Sequence, residues 1–243
     1  MSSIEKSKEK TQNLINSLKE LKKSAMKHLF TYGAVSFDDK DKIELKETEI
    51  GMMPKNWEID KFSNLMEFSK KPRELKFNDL DEITFIPMEK ISECDNPVRY
   101  EIKKYKDIAS GTFVCKGDLI ISKITPCFEN GKQAILDKIP SNYAIATTEV
   151  IPVHPIGDRA NTNFIYYLLK YLPVRKYLIS KMQGTTGRKR LPKDALENLE
   201  TILPTPQEQQ KIANILSSID EKIETEEKRV SALEQLFKSL LHN

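Results

Sequence analysis

The run from Gly184 to Leu191, GTTGRKRL, sets Arg188, Lys189 and Arg190 side by side behind Thr185 and Thr186. Those residue types suit one kind of chemistry. A guanidinium forks onto phosphate oxygens or onto the acceptor edge of guanine, and a hydroxyl donates to phosphate. Lys189 and Lys193 add point charge. Gly184 and Gly187 flank the threonines and allow close backbone approach to a surface. A solvated loop capping the following LPKDALENL satisfies the same pattern. Two readings stand: a loop in water, or a contact on a polyanion.

Other chemistry lacks its residues. No GxGxxG-like run follows a strand to hold a nucleotide cofactor, and there is no P-loop. DNPVRY at Asp95 resembles the acidic/amide–Pro–Pro–aromatic motif of amino-methyltransferases, but Val98 stands at the second proline and the aromatic is displaced. Glu44–Lys46 reads ELK near Asp38 and Asp39, a nuclease-like set, yet ELK recurs at Glu20 and Glu74. His28, His154 and His242 lie far apart, as do Cys94, Cys115 and Cys127, without CxxC spacing. The cysteines read as buried reduced thiols. The sequence predicts no catalytic residue, no metal and no cofactor.

The net charge of +3 is too small to name a partner, so its distribution matters. Residues 1–30 carry seven Lys and three Glu, whereas residues 206–243 carry five basic and seven acidic residues. The N-terminus has no apolar signal-peptide core, and no apolar run approaches a membrane span. A cytoplasmic protein without a membrane partner is expected.

The elements that must position the basic run are legible in outline. From Pro206 apolar residues recur as Ile212, Leu216, Ile219, Ile223, Val230, Leu233, Phe237 and Leu240, alternating steps of four and three, with Glu226 at the one polar seam position. That is a heptad. At 1.5 Å per residue the helix is about 55 Å long, too long for a small domain to cover. Thr205 is placed to cap it. The N-terminus repeats it: Leu18 and Leu21 align with Leu233 and Leu236, Ile15 with Val230, Thr11 with Glu226 and Ile4 with Ile219. Opposite charge favours pairing of the two helices with each other or with those of a second copy. Between them lie strand-like runs at Asn56–Phe62, Glu82–Ile91, Gly111–Ile124, Lys132–Ile139 and Tyr143–Pro155, then Asn161–Met182 as two helices broken at Pro173. The expected fold is α+β: an N-terminal helix at 1–32, an exposed acidic linker at 33–50, a mixed domain at 51–204 and a C-terminal helix at 205–243, the helices forming an antiparallel coiled coil.

LKKSAMKHLFTYG, KETEIGMMPKNWEIDKFSNL, GDLIISKITPCFENGKQA and GTTGRKRLPKDALENLETILPTPQEQQKIANILSSIDEKIE are similar to the specificity subunit of type I restriction–modification systems. Family members usually carry two target-recognition domains, each followed by a long helix; this chain resembles half of one. The resemblance implies a non-catalytic subunit that reads double-stranded DNA, with paired helices as a spacer on which the modification subunits, carriers of S-adenosylmethionine, dock. A restriction subunit would join them. It places GTTGRKRL and KITPCFENGK on the DNA side, which makes Lys123, Asn130 and Lys132 candidates beside Thr185, Thr186, Arg188, Lys189, Arg190 and Lys193. Two copies would form a homodimer reading an inverted repeat. A coiled-coil scaffold whose α+β block binds protein is the competing expectation.

Overall fold

The computed structural model describes residues 3–75, 81–93, 98–185 and 187–241. Cys94, the first half of DNPVRY (95–97), Thr186 and His242, together with the side chain of Leu240, lie outside the described set. Two long helices, α1 (Ser3–Tyr32) and α6 (Pro206–Leu241), enclose the rest of the chain order. Between them come β1 (Leu45–Thr48), β2 (Gly51–Pro54), β3 (Glu58–Lys61), α2 (Phe62–Leu65), β4 (Met66–Phe68), β5 (Glu82–Ile86), β6 (Glu101–Lys104), β7 (Thr112–Cys115) and β8 (Leu119–Ser122). Then follow β9 (Gln133–Ile135), β10 (Tyr143–Ala146), β11 (Val150–Pro155), α3 (Thr162–Lys170), α4 (Leu172–Ser180), α5 (Lys193–Glu197) and β12 (Glu200–Leu203).

The described strands form two four-stranded sheets, ordered β4-β11-β8-β9 and β6-β5-β10-β7, and two ribbons, β1-β2 and β12-β3. All four residues of β8 are buried. Leu119 and Ile121 face one core with Ile151 and Val153, whereas Ile120 faces another with Ala134 and Val150. A strand covered on both faces must be apolar throughout, which is why LIIS lacks the usual alternation. The run Tyr143–Pro155 is not one strand but two, in different sheets, parted at Thr147–Glu149. The 33–50 segment is not a bare linker either. It carries a 3-10 turn at Phe37–Lys42 and then β1, which pairs with β2 from Leu45↔Pro54 to Thr48↔Gly51.

The helices α1 and α6 run antiparallel within the one chain. Ion pairs join Lys8 to Glu234, Lys19 to Glu227 at 3.0 Å and Lys22 to Asp220 at 2.6 Å. At the domain end Glu208 accepts from the Trp57 indole at 3.0 Å and from the Ala34 backbone at 3.3 Å. Thr205 caps α6 as expected, its hydroxyl accepting from the Glu208 backbone at 3.4 Å. In α6 Ile212, Leu216, Ile223 and Glu226 are buried, and Ile219, Val230, Leu233 and Phe237 half-buried. In α1 the seam is Ile4, Thr11, Ile15, Leu18, Lys22, Ala25 and Leu29. Leu21, expected at the interface, is 53% exposed. The four-residue step from Leu18 reaches Lys22 instead, which is buried because Asp220 neutralises it. The repeat keeps its meaning: Leu236, the counterpart of Leu21, is 49% exposed, and Thr11 and Glu226 are both buried.

Each flank of the helix pair has its own chemistry. Lys19, Asp220, Glu227 and Glu234 each directly follow a seam residue and make the ionic flank. That flank meets the domain, where the Tyr167 hydroxyl of α3 donates to Asp220 at 2.6 Å. Burial, then the Asp220 charge, pushes the Tyr167 phenol well above its ordinary value, so it remains a donor. Leu14, Leu21, Ile215 and Leu236 each directly precede a seam residue and lie exposed on the opposite flank. Among the described residues, no helix is long and apolar enough to cross a membrane.

Glu208 is the bolt at the domain end. Glu208→Ala leaves the Trp57 and Ala34 donors without an acceptor, at a cost of about 1–3 kcal/mol. Urea unfolding should show that loss; an unchanged midpoint would mean the junction is held elsewhere.

Candidate nucleic-acid interface

The register of the sheet β4-β11-β8-β9 gathers loops at one edge. Val150 pairs with Ser122, Ile121 with Gln133 and Val153 with Phe68, all antiparallel. The C-terminal ends of β4 and β8 and the N-terminal ends of β9 and β11 therefore point the same way. The chain leaving β4 carries exposed Lys70, Lys71 and Arg73. Lys123–Thr125 leaves β8, Asn130–Lys132 enters β9, and Thr147–Glu149 enters β11.

The basic run joins this edge as a hairpin. Gln183 and Arg190 exchange backbone hydrogen bonds at 2.9 and 2.8 Å, and within the loop the Arg188 N–H donates to the Thr185 carbonyl at 2.9 Å. Gly184 holds φ +125°, and a Cβ there would lie 2.6 Å from the Arg188 carbonyl oxygen. Only glycine closes the loop without strain. The hairpin is stitched to the segment after β8: the Leu191 N–H donates to Lys123 at 2.7 Å and the Thr125 N–H to Lys189 at 3.1 Å. GTTGRKRL and KITPCFENGK, far apart in sequence, are thus adjacent strips of one surface. Below them Arg175 of α4 donates to the Phe128 carbonyl at 2.9 Å and to the Gln133 side chain at 2.6 Å. Burial pulls its guanidinium down to about 10, so it stays charged at neutral pH and braces the second strip.

The candidate residues divide by what already holds them. Thr185, Arg188 and Lys189 are exposed, and neither Arg188 nor Lys189 forms an ion pair among the described residues. Arg190 is exposed but pairs with Glu149 at 3.0 Å. Lys193, on α5, lies 4.7 Å over the Phe68 ring, and Lys123 is half-buried. Asn130 donates to Glu93 at 2.9 Å and Lys132 to the Met88 carbonyl at 3.3 Å, contacts that tie the strip to its neighbours. Lys70, Lys71 and Arg73 were missed by the sequence reading, although SKKPR carries the charge in plain sight. Glu149 gave no signal at all.

His154, isolated in the sequence, has company in the fold. Its Nδ1 lies 3.0 Å from the Ser69 hydroxyl and its Nε2 3.1 Å from Glu67. Ser69 donates to buried Asp118 at 2.7 Å, and Asp118 also accepts from the Cys115 backbone at 2.7 Å. Ser69 therefore bridges His154 and Asp118. The cluster clips β4, β11 and the start of β8 together. Cys115 and Cys127 are free thiols, half-buried rather than fully buried. Among the described residues no group of three or more His, Cys, Asp or Glu converges as a ligand set.

Residues 54–235 match the model of the type I restriction modification DNA specificity domain. The EcoAI specificity subunit of Escherichia coli is 34% identical over 195 residues, covering 78% of this chain and 33% of that protein. The MjaIX specificity subunit of Methanocaldococcus jannaschii is 30% identical, covering 82% of this chain and 46% of that protein. The chain therefore spans a third to a half of the length of these relatives. The S subunit of a type I system from M. genitalium superposes with TM-score 0.59 at 17% identity, covering 98% of this chain and 56% of that one. The HsdS subunit of Thermoanaerobacter tengcongensis gives 0.56 at 14%, covering 98% and 53%. At such identities the superpositions speak for the fold alone.

The hairpin separates shape from charge. Gly184→Ala should destabilise the protein by about 1–3 kcal/mol, the cost of a strained backbone. Arg188→Ala and Lys189→Ala should each stay within about 0.5 kcal/mol of the parent, as exposed substitutions do. Paired urea titrations check both; a stable Gly184→Ala protein would remove the steric account of the loop.

Proposed function

The chain belongs to the type I restriction–modification DNA specificity family, and from that membership we propose that it is the non-catalytic, sequence-reading part of a DNA methyltransferase complex. The observation that carries the reading is the convergence at one sheet edge of Lys70, Lys71 and Arg73 with the hairpin cations Arg188, Lys189 and Arg190. Duplex DNA is an unbroken array of phosphates, and cations on neighbouring loops are the means by which a protein lays a surface along it. Thr185 and Lys123 belong to the same surface, whereas Asn130 and Lys132 shape it through their own internal contacts.

The helix pair serves assembly. Its seam is filled within one chain, so a partner must use the outer flank, where Leu14, Leu21, Ile215 and Leu236 stand exposed. Modification subunits docked there would carry the catalytic machinery, and a restriction subunit would join through them. A second copy meeting the first across the same flank would supply a two-fold-related recognition domain and an inverted-repeat target. Such a complex works in the cytoplasm, where DNA and S-adenosylmethionine are both present.

DNA retention by the chain together with its modification subunits, measured over a salt series, tests the reading. Log affinity should fall linearly with log salt, and replacing Arg188 and Lys189 by Ala should make the slope shallower by about one unit each. An unchanged slope would take the hairpin off the DNA. The purified chain alone should bind no labelled S-adenosylmethionine; a signal would reject the non-catalytic role. Leu14→Glu with Leu21→Glu should leave the unfolding midpoint of the chain in place yet weaken assembly at least about tenfold, the cost of a buried unpaired charge. Intact assembly would move the partner elsewhere.

A further inference from the structure

Among the described residues of this edge, Glu149 is the acidic side chain that pairs with a hairpin cation, and its surroundings are specific. It lies where the chain passes from one four-stranded sheet to the other, in the three-residue step between β10 and β11. Its backbone is pinned on both sides: its carbonyl accepts from Lys123 at 3.0 Å, and its N–H donates to the Thr147 hydroxyl at 3.4 Å. One carboxylate oxygen receives the Arg190 guanidinium at 3.0 Å. The other, Oε2, is shielded from water and has no hydrogen-bond partner among the described residues. Arg190 is equally fixed at its backbone, bridged to Gln183 and to Ile124, while its side chain remains 61% exposed.

For a surface that only grips phosphate, this arrangement is costly, because a carboxylate repels the phosphates that the neighbouring cations attract. The repulsion is offset if the carboxylate oxygen that already holds Arg190 also accepts from a donor of the DNA; the side chain keeps 24% of its surface open, whereas Oε2 has none. In the major groove guanine offers two acceptors, N7 and O6, and its paired cytosine offers a donor, the exocyclic N4 amine. Arg190 and Glu149 display the complementary set side by side: guanidinium donors and a carboxylate acceptor.

We propose that Glu149 and Arg190 together read a single G·C base pair, Arg190 donating to guanine while Glu149 accepts from the cytosine amine and keeps the guanidinium from swinging to a phosphate. The proposal rests on the DNA-reading function above and names the determinants of one position in its target. At an A·T pair the same two side chains face an adenine amine and a thymine carbonyl, so donor meets donor and acceptor meets acceptor. Rejection of the wrong pair is built into the geometry.

The test uses the complex with its modification subunits, selection from a randomised duplex pool and affinities for selected and unrelated duplexes. Glu149→Ala should raise affinity for unrelated DNA several-fold, because a repelling charge is gone. It should also lower the ratio of selected to unrelated binding by about 10–100-fold and erase one G·C position from the selected motif, the loss expected of one base-reading contact. Arg190→Ala should erase the same position. Glu149→Gln keeps the size of the side chain and can offer its amide to adenine, so the preference at that position should shift rather than vanish; this variant also carries the test if the alanine protein folds poorly. A fall in selected and unrelated binding together, or an intact motif in all three variants, would reduce the pair to a structural tie and overturn the proposal. Failure of the parent complex to hold any duplex would overturn the DNA-reading function itself, and the base pair with it, which separates the two claims.

Discussion

The ion pair between Lys22 and Asp220 is the contact on which the rest of the molecule depends. Both side chains are about nine-tenths buried, and Asp220 also takes the Tyr167 hydroxyl. One junction thereby joins the N-terminal helix, the C-terminal helix and the domain. A buried ion pair contributes little net stability against an apolar replacement, but losing one partner leaves the other charged in a poor solvent, at about 3–5 kcal/mol. Its value lies in position. Along an apolar seam two helices can slip by a heptad and still bury leucines, whereas Lys22 finds Asp220 in one register only. With the register set, Glu208 meets Trp57 and Ala34, and the domain sits on the rod in one orientation.

At the loop-bearing edge of the domain a different constraint operates. An antiparallel sheet alternates strand directions, so each edge collects one end of every strand. Here that bookkeeping brings the segment after β8, the entry to β11 and the 183–190 hairpin into hydrogen-bonding contact although they are remote in sequence. The backbone pairs are short and shared between neighbours, and Arg175 braces the layer beneath. Backbone held in this way fixes where each exposed side chain stands. Rigid backbone with exposed side-chain tips is a division of labour: the scaffold selects where, the tips select what.

What the sequence could disclose follows the range of the interactions concerned. The long helices were legible because a heptad repeats its signal many times, and Thr205 was legible as a cap because capping is local. Leu21 was misplaced because leucines at steps of three and four look alike until the partner helix chooses, and its choice was a lysine neutralised from the far end of the chain. Tyr143–Pro155 read as one strand because both halves are apolar; the break at Thr147–Glu149 is imposed by two sheets, not by a turn residue. The acidic segment at 33–50 looked solvated because its charges are exposed, yet β1 pairs through its backbone, which composition does not report. At the candidate interface the cations of the hairpin were visible as types. Which of them are free, and that Asn130 and Lys132 are engaged internally, depends on partners such as Glu93 and Met88 that only the fold brings near. Glu149 was invisible for the same reason.

The antiparallel pairing has a mechanical corollary. Lys8 and Glu234 meet at the tip of the rod, and Ala34 and Glu208 at its base, so both ends of the described chain emerge together at the tip. Tension applied between them would load the contacts one after another from the tip inward, as a zipper is opened, rather than all at once in shear. The first turns to separate are held by exposed ion pairs and half-buried side chains, which resist little. Resistance would rise at the buried Thr11, Ile15 and Glu226 and again at Lys22 and Asp220, where the domain joins the rod. The rod is therefore a graded spring: compliant where it is free, stiff where it meets the domain.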